Sequence, residues 1–157
     1  MARKDHPNWA PRIHNRRATH DYHIEAKLEC GIALTGSEVK SLRQGKATLH
    51  EAFARVEGGE LFLHNMHIDP YEKATLAWNH DPNRTRKLLV HRREIRKLEQ
   101  ETKIKGVTLI PLAAYFKEGK VKIEIGVGRG KKQFDKRESI KRREQDRDVR
   151  RMRSHRG

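Results

Sequence analysis

The chain is poor in cysteine, in aromatics and in carboxylates, and it has no long apolar run. Cys30 is its single cysteine among 157 residues. No internal disulfide can form, and a reducing, cytoplasmic setting is the default expectation. No stretch approaches the roughly 18 apolar residues of a membrane-spanning helix, and none combines a basic face with the broad apolar face of a helix lying on a membrane. The opening MARKDHPNWAPRIHNRR has no hydrophobic signal region. There is no internal repeat. Hydrophobic residues make up 34%, below an ordinary globular domain. The 21 Asp and Glu are outnumbered by 36 Lys and Arg, a formal charge of +15. A self-repelling charge of that size is best tolerated in a protein that meets a polyanion. Nucleic acid is therefore the leading partner, an anionic membrane surface the weaker second, and no membrane partner is expected.

What is present falls into three zones. Residues 1–17 carry five basic residues and two prolines with little apolar pattern, which predicts a basic flexible arm. Residues 18–129 hold most of the apolar residues and all the clear periodicity. Residues 130–157 hold 12 Lys or Arg against five Asp or Glu, a local balance of +7.

In the middle zone, Tyr22, Ile24, Ala26 and Leu28 alternate with His23, Glu25, Lys27 and Glu29, the period of a half-buried strand with Glu29 on its wet face. In TGSEVKSLRQG, Thr35 and Glu38 have capping-box spacing, Val39 and Leu42 share a side, and Gly45 can end the helix. EAFARVEGGELFLHN reads as a hairpin about Gly58-Gly59. Residues 64–84 are irregular. RKLLVHRREIRKLEQETKIKG, residues 86–106, predicts a helix with Leu88, Ile95 and Leu98 on one face. VTLIPLAAYF and KVKIEIGVG flank KEGK as a last hairpin, with Pro111 pushing its first strand toward an edge or a bulge. Lys120, Lys122 and Glu124 then face water. The fold class is β-rich: five or six short strands, two or three flanking α-helices and a small closed barrel that removes exposed edges. An oligonucleotide-binding (OB-fold-like) barrel suits the charge.

The ending cannot join that core. From residue 131 onward its apolar positions are Phe134, Ile140, Val149 and Met152, too few to offset chain ordering. Its opposite charges three or four apart favour a nascent helix. The basic C-terminal tail, 130–157, is expected to be disordered or nascently helical when free and to order along phosphates. A solubilising charged tail is the bland alternative. Phe134, between KKQ and DKR, suits stacking on a base.

Signals for catalysis are weak. His20 and His23 fall on opposite faces of a strand, which disfavours a shared metal. Cys30 reads better as a small buried residue than as a nucleophile. GVGRGKK precedes no apolar helix, so it is no phosphate-binding loop. No carboxylates converge by spacing. No metal, cofactor or enzymatic activity is expected. A ribosomal or assembly protein and a metal-dependent ribonuclease stand as alternatives to an RNA-binding adaptor.

Three segments in order, NRRATHDYHIEAKLECGIALTGSEVKSLRQGKA, DPNRTRKLLVHRREI and VTLIPLAAYFKEGKVKIEIGVGRGKKQFDKRE, resemble the SmpB (small protein B, SsrA-binding protein) family. The resemblance runs from about Asn15 to Arg137, with a compatible tail after it. It implies an OB-fold barrel that binds the tRNA-like domain of transfer-messenger RNA at its elbow. It also implies trans-translation, or ribosome rescue: the tail enters the decoding centre and empty messenger channel of a stalled bacterial 70S ribosome, against small-subunit rRNA. Alanyl-tRNA synthetase and elongation factor Tu would be met only through the transfer-messenger RNA complex.

The family match carries over to a few residues. Glu29 in KLECG matches a glutamate at the RNA interface. A carboxylate there would accept hydrogen bonds from guanine or a 2′-hydroxyl. Leu89 in RKLLVH matches a leucine packed at that interface, although pattern alone makes it a core residue of a helix. Lys122 in KVKIEIG matches a basic residue suited to phosphate. Arg16, Arg17, Arg84, Arg86 and Lys87 are further electrostatic candidates. Gly130, Lys131, Lys132, Asp135, Lys136 and Arg137 match the GKK…DKR pattern at the decoding centre, with Phe134 in a stacking position and Met152 as a distal apolar contact. Cys30, Ser37 and His91 depart from common family residues.

Overall fold

The computed structural model describes residues 11–131. The elements run β1 (Ile13–His14), α1 (Arg16–Asp21), β2 (Tyr22–Ile32), α2 (Gly36–Arg43), β3 (Ala47–Thr48), β4 (Phe53–Glu57), β5 (Glu60–His64), β6 (His67–Ile68), β7 (Arg86–Leu89), α3 (Arg92–Thr102), β8 (Val107–Lys117) and β9 (Lys120–Gly130). Six longer strands form a ring in the order β8-β4-β5-β7-β2-β9, and pairing of β8 with β9 closes it. Closure leaves no long open edge, as the strand pattern predicts. β1 adds to β8, and β3 pairs with β6 apart from the ring. Ring-facing side chains fill the inside, with Leu61, Leu63, Leu88, Leu109, Ile123 and Ile125 at most 1% exposed. Each contributes roughly 1.5–3 kcal/mol by leaving water.

Local signals explain the hairpins and α2. Gly58 and Gly59 have φ of 58° and 76°, the left-handed pair that a tight hairpin turn needs. The Thr35–Glu38 capping box opens α2, and the Glu38 carboxylate accepts the Thr35 backbone N–H at 2.9 Å.

Three expectations need correction. Residues 86–89 are strand, not helix: Arg86 and Leu88 are buried while Lys87 and Leu89 are exposed. Leu88 pairs with Leu61 of β5 and Ile32 of β2. Partners on both sides override the helix preference of Lys and Leu, and α3 begins only after His91. Within the expected flexible arm, residues 11–17 are built into the fold. β1 pairs with β8, and buried Asn15 donates to the Pro111 carbonyl at 2.9 Å and the Leu49 carbonyl at 3.2 Å. Finally, Tyr22 and Ile24 do not share a dry face with Ala26. A bulge between Ile24 and Ala26 shifts the register with β9, and Ala26 is exposed. A second bulge lies between Pro111 and Ala113 in β8, where Pro111 led one to look. The two shifts build a small outer cluster of Ala18, Ile110 and Leu112, with Tyr22 and Ile24 packed on it, separate from the ring interior.

Candidate nucleic-acid interface

The strand register gathers three distant segments on one outer patch of the ring. Near the C-terminal end of β2, Gly31 pairs with Leu89 of β7 and with Lys122 of β9. Two residues earlier, Glu29 lies opposite Glu124. Across β9, Lys122 faces Tyr115 of β8. Glu29, Leu89 and Lys122 therefore share the patch, together with Tyr115, which sequence reasoning missed. The bulge after Pro111 shifts the register of β8 with β9, so plain alternation along that strand does not locate Tyr115. Leu89 is 52% exposed, one of few large apolar residues left in water. Its neighbour has no side chain: a Cβ at Gly31 would come within 3.2 Å of the Leu89 Cβ. A groove runs beside it, lined by Leu34, Val39, Leu89 and Lys122.

The patch holds its acid in one state. The Tyr115 hydroxyl donates a short hydrogen bond to Glu29 Oε2, and Lys117 Nζ lies 3.3 Å from Oε1. The tyrosine bond first, and Lys117 and Lys122 after it, hold the Glu29 carboxyl below the usual carboxylate range against some desolvation. Burial and the facing carboxylate push Tyr115 up to about 12, so its hydroxyl stays a donor. The Arg12 guanidinium stacks 4.4 Å from the Tyr115 ring centroid. At neutral pH the patch offers an ionised acceptor, an oriented phenol, a bare leucine and the cations Lys117 and Lys122. Base edges, 2′-hydroxyls and phosphates need that mixture.

The other basic candidates separate. Arg86 is corrected: it is fully buried and cannot touch RNA. Its Nε donates to Glu38 Oε2, Nη1 to the Met66 carbonyl at 2.5 Å and Nη2 to the Pro82 carbonyl at 3.1 Å. Arg84 grips the same carboxylate through Nη2 at 2.5 Å and the Ala33 carbonyl at 3.2 Å, which makes it chiefly structural. Lys87 pairs with Glu60 at 3.0 Å. On α1, Arg16 and Arg17 are exposed, and Arg17 meets Glu51 at 3.1 Å. Gly130 ends β9 opposite Tyr22, and Lys131 is exposed beyond it. Lys132, Phe134, Asp135, Lys136, Arg137 and Met152 lie outside the described residues.

Cys30 is 1% exposed, and burial pushes its thiol up to about 12, which leaves it a poor nucleophile. His20 bonds Asp21 at 2.9 Å at the end of α1, off the strand that carries His23. Among the described residues no group of three or more His, Cys, Asp or Glu is placed to hold a metal ion, and no helix is long and apolar enough to cross a membrane.

Comparisons with known proteins place the whole chain. The family model described as SmpB protein matches residues 12–155. The chain belongs to the SmpB family. An SsrA-binding protein of Geobacillus sp. (strain WCH70) is 58% identical over 137 residues, 87% of this chain and 88% of the relative. One from Streptococcus mutans serotype c is 55% identical over 138 residues, 88% of each chain. A solved structure described as "tmRNA-SmpB: a journey to the center of the bacterial ribosome" contains a chain 53% identical to this one, with a TM-score of 0.66, covering 77% of this chain and 85% of that one. Within this SmpB-family chain, Glu29, Leu89 and Lys122 come from three strands, yet the ring makes them neighbours.

Proposed function

We propose that this chain is a transfer-messenger RNA-binding adaptor of trans-translation. It holds the tRNA-like domain on the β2-β7-β8-β9 patch and brings that RNA to stalled ribosomes. Membership of the SmpB family along residues 12–155 carries this reading. The patch around Glu29, Tyr115, Leu89 and Lys122 supports the assignment of contacts. In this reading Glu29 accepts from a base edge or 2′-hydroxyl, Leu89 packs against a sugar or base face, and Lys122 neutralises phosphate. The chain works in the cytoplasm and catalyses no reaction. The tail from Gly130 onward reads the empty decoding centre through Lys131, Lys132, Phe134, Asp135, Lys136, Arg137 and Met152.

The test is binding of the full chain to the tRNA-like domain across a salt series, with excess elongator tRNA as competitor. Selective binding that survives the competitor supports the adaptor. Equal affinity for any RNA, falling with a log–log slope of roughly −0.7 to −0.9 per phosphate neutralised, would instead describe a general basic RNA binder.

A further inference from the structure

Arg12 stands just ahead of β1 in a stretch that is held on both sides. Before it, Pro11 packs on Gly45, just past α2: a Cβ at Gly45 would meet Pro11 Cγ at 3.1 Å. After it, Ile13 and His14 pair with Ala114 and Ala113 of β8, and the Asn15 N–H donates to the Leu112 carbonyl at 2.9 Å. One step back along the same register sets Arg12 across from Tyr115. Ala114 is buried in the ring interior, so strand alternation turns Tyr115 and the residue opposite it outward. Arg12 is exposed and Tyr115 is half-buried.

The Tyr115 side chain spans a strand. Lys122 of β9 faces Tyr115, and β9 lies between β8 and β2. The hydroxyl nevertheless donates to Glu29 Oε2 on β2. A ring that reaches across a whole strand leans along the sheet and leaves one face bare. The Arg12 guanidinium lies over that ring, 4.4 Å from its centroid. This is the closest of the cation–ring contacts among the described residues, the others lying at 5.4 to 5.9 Å. Among the described residues Arg12 pairs with no carboxylate, and the cations that act on Glu29 are Lys117 and Lys122. Arg12 is thus connected to Glu29 through the phenol, not by an ion pair.

We propose that Arg12 is a positioning residue of the RNA patch: its guanidinium clamps the Tyr115 ring, which fixes the phenol on Glu29 and so sets which lone pairs of that carboxylate remain for RNA. The inference rests on the reading of this patch as the seat of the tRNA-like domain. A carboxylate has about four acceptor sites. The phenol and Lys117 take one on each oxygen, which leaves the rest for donors of a base edge or a ribose. A planar guanidinium holds a ring by its flat face, which the compact ammonium of lysine does not match. The segment before β1 therefore supports the interface from behind rather than meeting phosphate.

The experiment uses the full chain, free and with the tRNA-like domain across a salt series. The variants are Arg12→Ala, Arg12→Lys, Tyr115→Phe and each Arg12 change combined with Tyr115→Phe. Thermal unfolding checks that each is folded. In the free chain the Glu29 carboxyl, followed by NMR, should titrate at higher pH in both Arg12→Ala and Arg12→Lys. Neither change should move it further once Tyr115→Phe has removed the hydroxyl. A shift that Arg12→Lys lacks, or that persists beside Tyr115→Phe, means that Arg12 acts by charge alone and overturns the proposal. So does an unchanged Glu29 in Arg12→Ala. With RNA, Arg12→Ala should lose about two- to fivefold in affinity, as expected for one exposed cation–π contact, at an unchanged salt slope. On top of Tyr115→Phe it should lose less than about 1.5-fold, since the two changes break one linkage. Full additivity, or a slope shallower by about 0.7 to 0.9, the mark of one phosphate, makes Arg12 a direct RNA contact and overturns the proposal. The titration is read without RNA, so a wild type that fails to select the tRNA-like domain bears on the proposed function alone.

Discussion

Glu38 shows how a single residue supports the candidate patch without touching it. Its side chain is fully buried and receives Arg84, Arg86 and the Thr35 N–H. Burial would raise its pKa. The Arg84 bond, the Thr35 N–H and Arg86 outweigh that and leave it lowered. A lowered folded pKa contributes stability that is present above the unfolded carboxylate value and is lost as pH falls through the folded one. Wild-type stability should therefore drop as pH falls below the ordinary carboxylate range. Glu38→Gln should flatten that part of the profile while costing about 3–5 kcal/mol at neutral pH, because two arginines lose their counter-charge. Urea unfolding at several pH values measures both. A variant as stable as wild type at pH 7 would remove Glu38 from the framework. Tyr115→Phe asks a different question at the same scale. It keeps the ring under Arg12 and deletes the bond to Glu29, so the Glu29 carboxyl should titrate at higher pH in an NMR titration. RNA affinity should fall by roughly fivefold, the equivalent of about 1 kcal/mol for one hydrogen bond. Affinity unchanged with Glu29 shifted would mean that the phenol orients nothing the RNA uses.

At the scale of elements, β2, β8 and β9 depend on close approach. A Cβ on Gly126 would sit 3.0 Å from Leu112 Cδ1 and 3.2 Å from Ile24 Cγ2. Gly126→Ala should cost about 1–3 kcal/mol through overpacking of the outer cluster, seen as a lowered thermal midpoint. Retained stability would mean that Leu112 has room to turn away. That cluster also marks where sequence reading stopped. The α2 cap, the Gly58-Gly59 hairpin and the inward Val121, Ile123, Ile125 and Val127 were legible, because each signal is local and periodic. Pro111 also signalled the bulge in β8, but the one between Ile24 and Ala26 in β2 was not legible, because an extra residue in one strand is visible only against its partner. β7 was missed for a related reason: four residues of helix-forming type become a strand through pairing with β5 and β2. The site inherits both effects. Glu29 and Lys122 were placed on wet faces from alternation alone. The exposure of Leu89 and the burial of Arg86 both follow from reading residues 86–89 as strand, and the role of Tyr115 follows from the bulge.

Across the whole molecule, charge and fold divide the work. The barrel's candidate patch has its own carboxylate, Glu29, and commits Lys117 to it, so in the proposed reading its selectivity comes from shape and hydrogen bonding. The ending carries +7 within 28 residues and starts where β9 ends at Gly130. A chain stopped after Gly130 keeps every strand of the ring and every residue of the patch. It should therefore bind the tRNA-like domain within a few-fold of the full chain at moderate salt, with a shallower salt slope because tail phosphate contacts are gone. In a reconstituted translation system with stalled ribosomes it should fail to support tagging of the nascent chain. Single changes sort the tail's parts. Phe134→Ala removes a stacking ring worth roughly 1–3 kcal/mol if it meets a base, and it should slow tagging without affecting binding of the free RNA. Full tagging by the truncated chain would make the ending a solubilising appendage. Loss of RNA binding on truncation would move recognition out of the barrel and into the tail.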